Sequence, residues 1–125
     1  MAKLRHLAIK TRNPGKLAEF YKQVFDMKEI VRGENGSVHL SDGLVNLAIL
    51  SADENSKEPQ HLPGLYHFGF QVDDMGEIAE RFRKIYPEGA PVSRSATYAE
   101  TRGKDPDGNL FDISVHGWDT EPKSK

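Results

Sequence analysis

The sequence contains no cysteine and no apolar run approaching the roughly 20 residues that a membrane-spanning helix needs. The missing cysteine excludes disulfides, thiolate zinc sites and a cysteine nucleophile. An excess of one charge is also missing, because 17 Lys and Arg residues stand against 19 Asp and Glu residues, for a formal net charge of −2. This balance gives no electrostatic case for nucleic acid or an anionic membrane as a partner. Since the first residues also lack the apolar stretch of a signal peptide, we expect a cytoplasmic protein whose partner is a small molecule or another protein.

The 125 residues contain an internal repeat. Shifting the chain by 61 residues places the segment that begins at Arg5 over the one that begins at Tyr66, so that His6 meets His67. In each copy a strand pattern precedes an amphipathic helix pattern, and we expect helices near residues 14–25 and 74–86. Three short alternating runs, separated by turn-forming residues, follow each helix. Each copy is therefore predicted to consist of a strand, a helix and three strands.

The two copies span residues from about 3 to 52 and from about 65 to 118. A polar, proline-containing segment at about 53–64 is typical of a linker, and His61 lies within it. We expect residues 1–125 to form a single domain of mixed α+β class. The tail after Trp118 has no large apolar residue to bury, and we expect it to be frayed.

Successive side chains of a strand point to opposite faces, which separates an apolar from a polar face in each predicted strand. Phe68 and Phe70, for example, are predicted to pack under a helix, and the last strand is predicted to add Val115 to the same apolar face. His67 then lies on the opposite face. The polar faces of the strands would line a common concave side, which carries His6, His39, Asn46, His67, Tyr98, Glu100, Arg102 and Asp112.

Two histidines and one carboxylate on one surface suggest a divalent metal, because this facial set leaves coordination positions open for a substrate. A lone histidine on a strand is otherwise structural or solvated, and the equivalence of His6 and His67 under the repeat favours the metal. Asp112 alternates within an apolar run, where a carboxylate needs a partner such as a metal.

The other polar residues have alternative explanations. A polar edge strand accounts for His39 as well as a binding role does. Tyr98, Glu100 and Arg102 share one face of a predicted strand, and an exposed, ion-paired ladder explains them equally well.

Four segments of the chain closely resemble the vicinal oxygen chelate superfamily, which includes glyoxalase I, extradiol dioxygenases, fosfomycin-resistance enzymes, methylmalonyl-CoA epimerase and bleomycin-resistance proteins. The segments are H-L-A-I-K at His6, K-L-A-E-F-Y-K-Q-V-F-D-M at Lys16, H-F-G-F-Q-V-D-D at His67 and D-P-D-G-N-L-F-D at Asp105. The resemblance extends from about residue 4 to 116. It implies two βαβββ modules that form a half-open barrel, the glyoxalase/dihydroxybiphenyl dioxygenase-like fold, around a divalent metal and usually in a homodimer.

The resemblance also implies a ligand set. His6 and His67 correspond to the two histidine ligands, and Asp112 stands where the family usually has a longer glutamate. Ala48 occupies the position of a fourth ligand found in the glyoxalase I type, and alanine cannot bind a metal. What remains is a three-ligand site, in which the resemblance leaves iron, manganese, zinc and nickel open.

These observations lead to a hypothesis of a metal-dependent enzyme, either a dioxygenase or a lyase or isomerase. Its small substrate would chelate the metal through neighbouring oxygens. Glu100 or Tyr98 would move protons as catalytic residues. The expected substrate-binding residues are Arg102, Asn46 and His39, with Arg102 placed to hold an anionic group. The alternative is a metal-free protein that binds a drug or another ligand, similar to bleomycin-resistance proteins.

Overall fold

The computed structural model of the chain describes residues 1–53, 55, 62–93 and 101–122. The chain divides into two compact units. The N-terminal unit comprises His6–Tyr66 with Asp119–Lys125, and the C-terminal unit comprises Met1–Arg5 with His67–Trp118. Within the described residues, no helix is long and apolar enough to cross a membrane.

The first module follows the predicted order. Its elements are β1 (Lys3–Thr11), α1 (Pro14–Phe25), β2 (Lys28–Arg32), β3 (Val38–Ser41) and β4 (Asn46–Ser51). The strands lie in the order β2, β3, β4, β1, and β1 runs parallel to β4 while the other two pairs are antiparallel. The apolar faces of the strands pack beneath α1 in a core that contains Ala18, Val38, Leu40, Leu47 and Ile49.

The second module repeats this arrangement. Its elements are β5 (Gly64–Gln71), α2 (Met75–Ile85), a 3₁₀ turn (Pro87–Gly89), β6 (Val92–Ser93), β7 (Thr101–Lys104) and β8 (Leu110–Ser114). The strands lie in the order β5, β8, β7, β6, with β5 parallel to β8. The fold is therefore mixed α+β and built from two βαβββ modules, as the repeat predicts.

An aromatic cluster forms the core beneath α2. Phe68, Phe70 and Phe82 surround the ring of Phe111, with ring centroids 5.8 to 6.0 Å from it. Such separations are typical of edge-to-face and tilted aromatic pairs. These pairs stabilise the fold by more than the burial of their apolar area alone would. The predicted direction of Phe68 and Phe70, toward the helix, is confirmed.

Both helices begin where the sequence indicates. The side chain of Asn13 accepts a hydrogen bond from the backbone of Lys16 at 3.1 Å, just before Pro14 opens α1. Asp74 accepts from the backbone of Gly76 at 2.8 Å and so caps α2. These side chains satisfy amide groups that the first turn of a helix leaves without partners.

Two expectations at the C-terminal end are wrong. The last strand stops at Ser114, because Gly117 turns the chain with φ 77° and donates to the Ser114 hydroxyl at 2.8 Å. Val115 therefore does not join the apolar face and is exposed. The tail after Trp118 is not frayed at its first residue, because Asp119 is half-buried and its backbone carbonyl accepts a hydrogen bond from the side chain of Asn46.

Candidate metal centre

His67 and Asp112 form a buried pair in the C-terminal unit. They lie on β5 and β8, which pair in parallel so that Phe68 is opposite Phe111 and Gly69 is opposite Asp112. The phenylalanines point into the aromatic core, so the alternating histidine and aspartate point to the other face. The Nε2 atom of His67 lies 3.1 Å from Oδ2 of Asp112.

Arg102 completes this cluster from the neighbouring strand. It is the direct partner of Asp112 in the antiparallel pairing of β7 and β8. Its Nε donates to Oδ1 of Asp112 at 2.6 Å and its Nη2 donates to Oδ2 at 3.3 Å. The same Nη2 lies 3.5 Å from Nδ1 of His67. A guanidinium that grips both oxygens of a carboxylate orients it as well as neutralising it.

The pKa of Asp112 reflects two opposing influences. Burial by itself raises the pKa, because it penalises the charged carboxylate. The hydrogen bonds and positive charge that His67 and Arg102 provide outweigh burial and hold the pKa well below its ordinary value. Asp112 is therefore a carboxylate at neutral pH, which is the form that binds a metal.

A second polar cluster occupies the N-terminal unit. His6 and Asn46 are buried and pair across the parallel strands β1 and β4. The Nδ1 atom of His6 lies 3.0 Å from Oδ1 of Asn46. His39, on β3, is hydrogen-bonded to the same side chain, and burial lowers its pKa although Asn46 and Asp119 act in the opposite direction. The alternative explanation of His39, as a residue of a polar edge strand, is wrong because β3 lies between β2 and β4.

The sequence could not indicate the contribution of Asp119. Its backbone carbonyl accepts from Nδ2 of Asn46 at 2.8 Å. Every residue has such a carbonyl, and the two residues are 73 positions apart, so no local pattern marks the contact.

The predicted site residues thus fall into two groups within the described parts of the chain. His67, Arg102 and Asp112 are together in the C-terminal unit. His6, His39 and Asn46 are together in the N-terminal unit. The predicted catalytic residues Tyr98 and Glu100, and also His61, lie outside the described residues.

His67 and Asp112 are candidate metal ligands in the C-terminal unit, since each is buried and offers an imidazole nitrogen or a carboxylate oxygen, and buried His6 offers an imidazole nitrogen in the N-terminal unit. The pair in the C-terminal unit fits a metal in its spacing as well as its chemistry. Two ligand atoms that are each roughly 2.1 Å from an ion and adjacent in an octahedron are about 3 Å apart. The observed 3.1 Å between His67 and Asp112 matches this edge. Ala48, on β4, is buried and carries no ligand atom.

The chain resembles several solved structures at low sequence identity. No curated protein matches it. The 2,3-dioxygenase LapB from Pseudomonas sp. KL28 has a TM-score of 0.68 and 18% identity over 90% of this chain and 40% of its own. This chain therefore spans about two fifths of the length of LapB.

Two other similar structures match over most of their own length. A glyoxalase/bleomycin resistance protein/dioxygenase superfamily member from Vibrio splendidus 12B01 has a TM-score of 0.63 and 18% identity, over 90% of this chain and 97% of its own. Methylmalonyl-CoA epimerase from Mycobacterium tuberculosis has a TM-score of 0.62 and 18% identity, over 97% of this chain and 88% of its own. At these identities the likeness shows the shared fold.

The family model that matches the sequence covers most of it. It is described as the Glyoxalase/Bleomycin resistance protein/Dioxygenase superfamily, and it matches residues 3–113. The chain belongs to the glyoxalase/bleomycin resistance protein/dioxygenase superfamily.

Proposed function

We propose that this protein is a divalent-metal-dependent enzyme that acts on a small substrate with two neighbouring oxygens able to chelate the metal. The observation that carries the proposal is the buried His67–Asp112 pair, whose ligand atoms are 3.1 Å apart on the face opposite the aromatic core. Burying an ionisable pair costs desolvation free energy even when the two groups are paired, and buried ionisable groups of this kind cluster at functional sites.

His67, Asp112 and His6 are the proposed ligands. His6 enters the set because it is the repeat equivalent of His67 and is also buried on its strand. A metal bound there would act as a Lewis acid on the chelating oxygens or, if it were iron or manganese, as the redox centre of a dioxygenase. Arg102 holds the Asp112 carboxylate in place from the adjacent strand, so that the ligand is oriented before any metal binds.

Metal analysis of the protein, purified without added metal, tests this proposal. Purified protein is then titrated with Fe²⁺, Mn²⁺, Zn²⁺ and Ni²⁺, and the same titrations are run on His67→Ala and Asp112→Ala. We expect one ion per chain and a loss of more than roughly 100-fold in affinity for His67→Ala, because one of three protein ligands is removed. The matched control is His116→Ala, which removes an exposed histidine after β8 and should bind metal like the wild type.

Asp112→Glu separates ligation from a purely structural role. It introduces the longer side chain that the family usually has at this position, and it should keep or strengthen metal binding if Asp112 is a ligand. If Asp112→Glu and Asp112→Ala both bind metal as the wild type does, Asp112 is not a ligand. If wild-type protein and His67→Ala have equal affinities, the metal-dependent proposal fails.

The reaction class is open to a direct comparison. The similar structures include a 2,3-dioxygenase and an epimerase. A dioxygenase consumes O₂ in its reaction, and an epimerase does not. We propose to screen vicinal diols and 2-oxo or 2-hydroxy acids under aerobic and anaerobic conditions with the preferred metal. Turnover only in air would identify a dioxygenase, and equal turnover in both would identify a lyase or isomerase.

A metal-free binding protein is the second candidate, and one observation favours it. Asp112 is already neutralised by Arg102, so its buried carboxylate does not depend on a metal for charge compensation. This candidate predicts that all four metals bind no better to the wild type than to His67→Ala, and that a small ligand raises the unfolding temperature without metal.

A further inference from the structure

The side chain of Asn46 is buried and has a partner at each end of its amide group. One end faces a ring nitrogen of His6, and the other faces the backbone carbonyl of Asp119. We propose that Asn46 is a positioning residue, which Asp119 orients so that it holds the His6 ring with its proton on Nδ1. The inference rests on the proposed function only in its consequence for metal binding.

The orientation of the amide follows from the chemistry of a backbone carbonyl. The carbonyl oxygen of Asp119 accepts hydrogen bonds and cannot donate one. The Asn46 atom 2.8 Å away must therefore be the amide nitrogen, which donates. An amide rotated by half a turn would place two oxygens against each other in a buried position and leave the amide nitrogen without this acceptor. The main chain at Asp119 thus decides which way Asn46 points.

The protonation of His6 follows from the orientation of Asn46. With its nitrogen directed to Asp119, Asn46 presents Oδ1 to Nδ1 of His6, at 3.0 Å. An amide oxygen has no proton to donate, so Nδ1 of a neutral His6 must carry the proton. The other neutral form would place two acceptors 3.0 Å apart in the buried cluster. The lone pair of the ring is consequently on Nε2.

This arrangement bears on the proposed metal site, because a histidine binds a metal through the nitrogen that carries the lone pair. Histidine ligands commonly donate their other ring N–H to a protein oxygen, which sets the tautomer and the ring direction. Asn46 plays that part for His6, and the backbone carbonyl of Asp119 holds Asn46 in the orientation that this requires. Although Asp119 lies in the tail, its backbone carbonyl thereby determines, through Asn46, which ring nitrogen of His6 carries the lone pair.

The tautomer is measured without metal, from the ¹⁵N chemical shifts of the His6 ring at a pH where histidines are neutral. The wild-type spectrum tests the proposal directly, and we expect a protonated Nδ1. Asn46→Leu removes the acceptor, so we expect a mixture that contains the Nε2–H form. Asn46→Asp keeps an oxygen toward His6 and should keep the proton on Nδ1, although its second oxygen then meets the Asp119 carbonyl and destabilises the cluster. Ser41→Ala is the control, since Ser41 pairs with Asn46 across β3 and β4 and loses a buried hydroxyl.

Zn²⁺ alone is then titrated into the same proteins. We expect Asn46→Leu to bind Zn²⁺ roughly 10- to 100-fold more weakly than the wild type, and Ser41→Ala to bind it equally well. A wild-type Nε2–H form, or an Asn46→Leu spectrum identical to that of the wild type, overturns the proposal. Equal Zn²⁺ affinity in Asn46→Leu and the wild type overturns the positioning role for metal. If the wild type binds none of Zn²⁺, Fe²⁺, Mn²⁺ and Ni²⁺, the proposed function fails, and the tautomer measurement alone decides the role of Asn46.

Discussion

Arg102 lies directly opposite Asp112 in the pairing of β7 and β8, and its guanidinium donates to both oxygens of that carboxylate. The carboxylate is buried, whereas the arginine retains 22% exposure of its side chain. A buried charge of this kind is tolerated because its partner supplies hydrogen bonds as well as opposite charge. The pair therefore couples the stability of the fold to the orientation of a candidate metal ligand.

Replacing Arg102 with leucine should destabilise the protein by about 2 to 4 kcal/mol, because it leaves the Asp112 carboxylate buried beside His67 without its cationic partner. Urea unfolding followed by circular dichroism measures the change. Arg81→Leu is the matched control, since Arg81 pairs with Glu77 on the exposed surface of α2 and should contribute less than about 0.5 kcal/mol. Equal effects of the two substitutions would contradict the buried role of Arg102.

Asp112 should make stability depend on pH below the neutral range. Its pKa is lower in the folded than in the unfolded protein, so its contribution is complete above pH about 4 and is lost as the pH falls below that value. The difference in unfolding free energy between the wild type and Asp112→Asn should be largest near neutral pH and shrink in acid. A difference that stays constant or widens on acidification would show that the carboxylate is not stabilised by its partners.

Gly89→Ala should be strongly destabilising, by about 2 to 3 kcal/mol, because an added Cβ would overlap the backbone oxygen of Lys104 and the ring of Tyr86. Backbone cannot move aside as a flexible side chain can. Gly15→Ala is the control, since the nearest atom to its Cβ is 3.6 Å away in Arg32 and alanine favours a helix. Thermal unfolding should rank Gly15→Ala at or above the wild type and Gly89→Ala well below it.

We expect the protein to form a homodimer. Several large apolar side chains are exposed, among them Phe20, Val24 and Phe25 on α1, and a symmetric partner is the commonest way to cover such a surface. Sedimentation at micromolar concentration should show a species of twice the 14.0 kDa chain mass. A single species of one chain mass across that range would contradict the expectation.

Much of the fold was predictable because its signals lie in short segments of the sequence and in the repetition of those segments. The repeat that superimposes His6 on His67 indicates two modules, and Asn13 and Asp74 mark helix starts by a chemistry that acts within three residues. Alternation along β5 is enough to separate Phe68 from His67, since a strand has a period of two. The sequence also determined the residue types of the candidate metal ligands and the absence of a ligand atom at Ala48.

The partners of those residues were decided by the tertiary structure. The sequence does not decide whether Arg102 binds a substrate anion or pairs with Asp112. Only the register of β7 on β8 brings the side chains of Arg102 and Asp112 together. The end of β8 at Ser114 and the seating of Asp119 against Asn46 depend on how the chain turns at Gly117. A hydrogen bond from Asn46 to a backbone carbonyl 73 residues away cannot be predicted from residue types. Every residue carries such a carbonyl, and only folding determines which of them a side chain contacts.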